Sequence, residues 1–259
     1  MTNNTIIVSM TTWPPRYKSA LVAMAEIARQ RDKWNVDAHC VLVLSEDEWK
    51  DLKAERDSVL SAMAKIKVEV LWSWGNIRSH KKLIPTLERY PNNPILVVDD
   101  DNRQKDGWLT TFVNDHKAHP TDVIYGQSNS YVTILDGRIH EVRERQMYMQ
   151  GQETKKWKPA NGASGTLYPP HTFTDVRFFD RELFMRLSPT SDETWQWAWC
   201  VMQGRTFRCL SWYNVPYLIP NANQQCALFN TNKAKYDEIH NAIAKEFPEY
   251  KSKLESLLR

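Results

Sequence analysis

Ile95-Leu96-Val97-Val98-Asp99-Asp100-Asp101 joins a short apolar run to three consecutive acids. Four consecutive apolar residues without alternation read as a short strand covered on both faces, as in a parallel sheet. The strand runs directly into three carboxylates. In an open α/β sheet, ligands bind beyond the carboxyl ends of the strands, which is where these aspartates fall. Adjacent carboxylates disfavour one another's ionisation, and a divalent cation is a common remedy. Asp99 and Asp101 share a side if extended geometry continues past the strand. A solvated acidic turn, or a helix start where acids are favoured, is the competing reading.

The same alternation of strand and helix fills the first hundred residues. Strands are predicted over Thr5–Met10, His39–Ser45 and Lys67–Trp72, and helices over Tyr17–Gln30, Glu46–Ala64 and Lys81–Tyr90. Beyond the aspartates come a helix over Trp108–His116 and a strand over Asp122–Tyr125. A hairpin joins Tyr131–Leu135 to Arg138–Val142 about the turn dipeptide Asp136-Gly137. Glu144–Asn161 is polar, aperiodic and long for an internal loop, and reads as a lid. Helices follow over Asp192–Met202 and Lys233–Phe247, the latter interrupted by Pro248 before a last short helix. The expected fold is α/β, a mostly parallel central sheet flanked by helices, with a C-terminal helical tail.

Composition removes several classes. The 34 basic and 31 acidic side chains leave a net charge of +3, too weak to predict a nucleic-acid partner. Only 8 glycines occur, and neither G-x-G-x-x-G nor a P-loop can be found among them. No apolar run approaches the length of a membrane span. Met1–Thr5 lacks a signal-peptide pattern. Cys40, Cys200, Cys209 and Cys226 have no C-x-x-C spacing and read as reduced thiols, so a cytoplasmic location is expected. The 11 tryptophans exceed what a core of this size needs. Trp195 and Trp199, four apart on a helix, can line one side and offer flat rings to a sugar; core filling is the plainer use of each.

Several motifs, in order, resemble bacterial glycosyltransferases of the GT-A fold, close to the large inverting family-two group of capsule, O-antigen and lipooligosaccharide assembly. They are Val8-Ser9-Met10-Thr11-Thr12-Trp13-Pro14-Pro15-Arg16, Arg78-Ser79-His80-Lys81-Lys82-Leu83-Ile84-Pro85 and Val97–Asp101. Gly162-Ala163-Ser164-Gly165-Thr166-Leu167-Tyr168-Pro169-Pro170 and Ser191-Asp192-Glu193-Thr194-Trp195 complete the set, which covers roughly residues 6–205. The resemblance implies a single GT-A-like domain over 1–259. Residues 1–103 would form its nucleotide-sugar half, 104–225 its acceptor half and 226–259 a helical tail.

It also implies roles. Thr11, Thr12 and Arg16 would hold the nucleotide base and ribose, with Asp99 near the ribose, Asp101 on Mn²⁺ or Mg²⁺, and Asp100 between them. Asp99 is the second metal candidate. Lys81 or Lys82 would meet the diphosphate as a point charge, and Arg78 as a planar fork. Basic residues at a helix start are not favoured by its dipole, which supports an anion-binding use. Asp192, with Glu193 second, would take the proton from an acceptor hydroxyl; Ser191-Asp192-Glu193 equally reads as a helix cap with first-turn acids. Gly165 would let backbone approach a sugar, and Trp195 and Trp199 would stack on it. His171 is a lesser candidate for the metal shell. The expected partners are a UDP-sugar donor and a glycan or lipid-linked acceptor, with no nucleic acid. The basic, amphipathic tail allows peripheral contact with the inner membrane, although packing on the domain itself is the simpler use. A sugar nucleotidyltransferase and a non-catalytic carbohydrate-binding protein are the alternatives.

Overall fold

The apolar runs become strands in the order they are met. In the structure, a computed structural model, the described residues are 4–148, 157–159, 161–210, 216–220, 222 and 235–259. The first half builds β1 (Ile6–Thr11), α1 (Tyr17–Lys33), β2 (Ala38–Ser45), α2 (Glu46–Trp49), α3 (Lys53–Lys65), β3 (Glu69–Ser73), α4 (Ile84–Arg89) and β4 (Ile95–Val98). After the aspartates come β5 (Asn102–Arg103), α5 (Trp108–Ala118), β6 (Val123–Tyr125), the hairpin β7 (Ser128–Leu135) and β8 (Arg138–Tyr148), and β9 (Trp157–Lys158). The remainder is α6 (Asn161–Ser164), β10 (Thr166–Tyr168), α7 (Arg181–Leu187), α8 (Asp192–Met202), β11 (Phe207–Cys209), β12 (Tyr217–Leu218), α9 (Tyr236–Glu246) and α10 (Pro248–Leu258).

Among the described residues, seven strands form the main sheet in the order β11-β6-β10-β4-β1-β2-β3. All its pairings are parallel except the two made by β10, which runs antiparallel to β4 and β6. Period-two alternation divides the core. Ile7, Val41 and Val97 face one apolar layer with α8, α9 and α10, while Val8, Leu42 and Leu96 face the other with α1 and α5. The hairpin turns at Asp136-Gly137 as predicted, and β9 adds to β7. Among the described residues, no helix is long and apolar enough to cross a membrane.

Three predicted elements need revision. The helix expected over Glu46–Ala64 is two, because Trp49 is drawn fully into the core and the chain turns after it, Leu52 N–H donating to the Trp49 carbonyl. The helix expected from Lys81 begins at Ile84, after a 3-10 turn over Arg78–Lys82. Pro85 then sits in the first turn, where its missing N–H is not needed. The lid expected over Glu144–Asn161 has structured ends, in β8, β9 and α6; residues 149–156 and 160 lie outside the described set.

Strand β10 escaped prediction because its three residues lie between Gly162-Ala163-Ser164-Gly165 and Pro169-Pro170, with no apolar run of their own. Gly165 leads into it with φ of +91°, and a Cβ there would meet the Trp108 ring at 2.7 Å. Gly165→Ala is therefore expected to destabilise the fold by about 1–3 kcal/mol through crowding, added to left-handed strain. Thermal denaturation checks this against Gly204→Ala, whose φ is +64° and whose Cβ would meet nothing within 4 Å. Equal losses from the two variants would mean that crowding against Trp108 contributes nothing.

Candidate functional site

The carboxyl ends of β1 and β4 open into a cavity of about 560 Å³. The loop after β1 meets the triplet directly. Thr12 donates its hydroxyl to Asp100 Oδ2 at 2.6 Å, and Arg16 Nη2 lies 2.6 Å from Asp100 Oδ1 and 2.8 Å from Asp101 Oδ2. Burial pushes the Asp100 carboxyl up to about 7, even though Arg16 and Thr12 oppose the rise. Asp101 also accepts from the Asn102 amide. Its carbonyl receives the Ile219 N–H at 2.8 Å, which ties the β5–β12 pair to the triplet.

Lys82 joins the two acidic clusters. Its Nζ lies 2.9 Å from Asp99 Oδ1 and 3.2 Å from Asp192 Oδ2, and its side chain is only 5% exposed. The two carboxylates hold the ammonium charged against the desolvation that would discharge it. Asp99 is the most accessible of the triplet at 32%, against 8% and 13% for Asp100 and Asp101. Burial still pushes its carboxyl up, Lys82 opposing.

The second cluster sits at the start of α8. Ser191 caps the helix, accepting the Thr194 N–H, so the structural reading of this motif holds. Both acids nevertheless line the cavity. Asp192 Oδ2 accepts from Gln196 Nε2 at 3.2 Å in addition to its pair with Lys82. Glu193 is a quarter exposed and stands 3.5 Å from Lys158 Nζ. Burial raises its carboxyl, with Lys158 and Lys82 pulling the other way.

Two other predicted cations differ in availability. Lys81 lines the cavity but is buried and paired with Glu48 of α2, and burial pushes its ammonium down. Arg78 is exposed at the cavity wall, and among the described residues it pairs with no carboxylate. It adopts φ of +53°, with its N–H held by the Asn76 side chain at 2.9 Å. A non-glycine residue held in that region is a local strain of the kind that gathers at binding sites.

No protein-family model matches this chain, and no curated protein matches its sequence. Among solved structures, residues 1–349 of TarS from S. aureus match with a TM-score of 0.54 and 13% identity, covering 97% of this chain and 90% of that one. The fold is shared with TarS. A longer TarS structure matches at TM-score 0.50 and 13% identity over 93% of this chain, which spans 42% of that TarS chain. A UDP-glucose pyrophosphorylase complexed with UDP-glucose gives a TM-score of 0.39 at 8% identity, over 66% of this chain and 78% of that one, too remote to carry an argument. The TarS likeness accords with the α/β, GT-A-like architecture: a mostly parallel sheet between helices and a helical C-terminal tail.

Thr11, Thr12, Arg16, Arg78, Lys81, Lys82, the three aspartates, Asp192 and Glu193 all line this one cavity. The predicted sugar contacts do not. Trp195 and Trp199 are 0% and 1% exposed, in edge contact at 5.5 Å, with Trp195 Nε1 donating to the Phe178 carbonyl. Their shared face is covered by Phe247 of the C-terminal pair, so they fill the core. Trp197 is buried as well, against His240 and Tyr250. Gly165 lets backbone approach Trp108 instead of a sugar. His171 is exposed, outside the cavity lining, and its carbonyl receives Arg205. Among the described residues, no group of three His, Cys, Asp or Glu is placed to hold a metal. Glu48, Arg143, Lys158 and Tyr236 went unnoticed in the sequence: none lies in a motif, and Lys158 belongs to an aperiodic polar stretch.

Proposed function

We propose that the chain is a metal-dependent glycosyltransferase that moves a sugar from a nucleotide-diphosphate donor, UDP-linked, to a hydroxyl of a bacterial surface glycan with inversion. The observation that carries this reading is the convergence of the post-β1 loop, the Asp99–Asp101 triplet, the Arg78–Lys82 turn and the Asp192-Glu193 pair on one cavity at the carboxyl edge of the sheet.

Among the described residues, six carboxylates and five basic side chains line the cavity, and further positive charge would ease the entry of an anionic diphosphate. Magnesium-type ions are commonly held by one or two carboxylates together with substrate phosphates and water. Asp99 and Asp101 therefore suit such an ion without a third protein ligand, Asp99 being the more accessible. When bound, the ion offsets charge developing on the departing diphosphate. Arg78, which pairs with no carboxylate among the described residues, supplies a guanidinium to the same oxygens.

At the other end, the acceptor oxygen attacks the anomeric carbon while the bond from that carbon to the diphosphate oxygen breaks. The hydroxyl proton passes to a carboxylate. Asp192 is already committed to Lys82 and Gln196, whereas Glu193 is more accessible and lifted by burial towards the working range of a base. We therefore assign the base to Glu193, with Asp192 holding Lys82.

The test is to incubate purified protein with Mn²⁺, a panel of nucleotide sugars and glycan acceptors. Release of nucleoside diphosphate with elongated acceptor is expected; pyrophosphate release would identify a nucleotidyltransferase, and glycan binding without turnover a binding protein. Asp99→Asn and Asp101→Asn should each weaken Mn²⁺-dependent donor binding by at least about tenfold in calorimetry. Unchanged binding in both would overturn the metal assignment.

A further inference from the structure

The most deeply buried charges outside the nucleotide end of the cavity form a line running from Glu193 into the C-terminal helices. Lys158 of β9 is 1% exposed, and its ammonium makes no hydrogen bond of good geometry among the described residues. Its partners are charges and a ring: Glu193 Oε2 at 3.5 Å, Glu141 Oε2 at 3.3 Å and the face of Tyr236 at 5.0 Å. Glu141, fully buried in β8, meets His240 Nε2 of α9 at 3.1 Å through the same oxygen. The Lys158 and Arg143 charges and the His240 hydrogen bond overcome desolvation and hold the Glu141 carboxyl down at about 2. An ionised carboxylate can only accept, so His240 Nε2 donates to it and Nδ1 accepts from the Tyr250 hydroxyl at 2.8 Å.

The backbone beneath this line is fixed independently. Asp237 of α9 accepts the Glu141 N–H at 2.8 Å, and Asn241 brackets Ile139, accepting its N–H at 3.1 Å and donating to its carbonyl at 2.7 Å. The hairpin is thereby docked on α9. A buried ammonium is costly unless carboxylates surround it, and here one of the two it faces belongs to the cavity wall.

We propose that Lys158 is a positioning residue that holds Glu193 at the cavity wall, and that Glu141 and His240 hold Lys158 there from beneath. This rests on the assignment of Glu193 as the base. The line would give the C-terminal helical pair a part in the chemistry although only its Tyr236 touches the cavity. The charged and titratable groups facing Glu193 are Lys158 of β9, Lys82 of the 3-10 turn, Asp192 of its own helix, Asp99 beyond β4 and Tyr236 of α9. Those facing Lys158 are Glu141, Glu193, Tyr236, Arg143 and His240. Two substitutions should therefore act on Glu193 with opposite sign. Lys158→Met removes its nearest positive charge, and Glu141→Gln removes the carboxylate that competes for that charge.

The experiment titrates the side-chain carboxyl of Glu193 by ¹³C NMR in the full chain, its resonance assigned by its loss in Glu193→Gln. Lys158→Met should move the midpoint upward by about one unit, a tenfold change in the ionisation constant. Glu141→Gln should move it downward, and Lys158→Arg should restore it. Midpoints that stay in place, or that move together, overturn the proposal, because a purely structural Lys158 would lower stability without opposite shifts. If Lys158→Met does not fold, Glu141→Gln decides: a downward move supports the line, and a static or upward midpoint overturns it. The titration does not depend on turnover. Normal transfer by Glu193→Gln would therefore defeat the base assignment while leaving the Lys158 result readable.

Discussion

Glu193→Gln is expected to lower sugar transfer by roughly 10²–10⁴-fold, the range that a positioned general base contributes. Glutamine keeps the size and the hydrogen-bonding reach of the side chain but cannot take the acceptor proton. Donor binding should stay within about twofold, because Glu193 is not among the groups proposed to hold the ion or the diphosphate, and the loss should fall on kcat. Product formation and donor affinity, measured on the same preparation, check both halves. The neighbouring Asp192→Asn should behave differently, losing stability through Lys82 before it loses chemistry. Full activity in Glu193→Gln with none in a folded Asp192→Asn would move the base one residue back.

Lys82→Met is expected to be the most destabilising single change in the cavity, by about 3–5 kcal/mol. The substitution preserves length and apolar stem while removing a 5% exposed ammonium that stands between Asp99 and Asp192. Two carboxylates would then be left in a poorly solvated wall, with Arg16 already engaged by Asp100 and Asp101. Urea denaturation near neutral pH reads the loss. Restoring neutrality in the double variant Lys82→Met, Asp192→Asn should recover part of it, since one stranded charge is removed. A single variant within about 0.5 kcal/mol of the parent, the range of ordinary surface changes, would show that water reaches this bridge freely.

The legible part of this fold lay where local chemistry and long-range structure demand the same residues. Ile95–Val98 and Cys40–Leu44 are apolar because both faces of their strands are covered, and nothing else needs such a run. Asp99–Asp101 follow a strand end, so their place at a sheet edge needed no knowledge of partners. The tryptophans of α8 misled for a physical reason. Spacing of four says that Trp195 and Trp199 share a face, not whether a sugar or Phe247 covers it, and indole serves both purposes equally. Gly165 had the same ambiguity, since close approach to a ligand and close approach to Trp108 both require a missing Cβ. Lys158 and Glu141 were invisible because each is ordinary in its own segment, and His240 offered only a lone histidine in a predicted helix, a weaker metal candidate than His171. They acquire meaning only once a hairpin, a two-residue strand and a C-terminal helix are brought together.

The burial of Trp195 and Trp199 under α9 and α10 bears on how the chain comes to be folded at all. Ile239, Ile243, Phe247, Tyr250 and Leu254 close a layer whose other members begin at Ile7. During synthesis that side of the sheet stays open until residues 239–254 have been made, with three indoles of α8 among the groups left uncovered. The opposite side, against α1, is largely supplied from the first half of the chain and can close early. Nascent chains stalled before residue 239 should therefore engage chaperones that bind exposed apolar surface, and release from them should await α9 and α10.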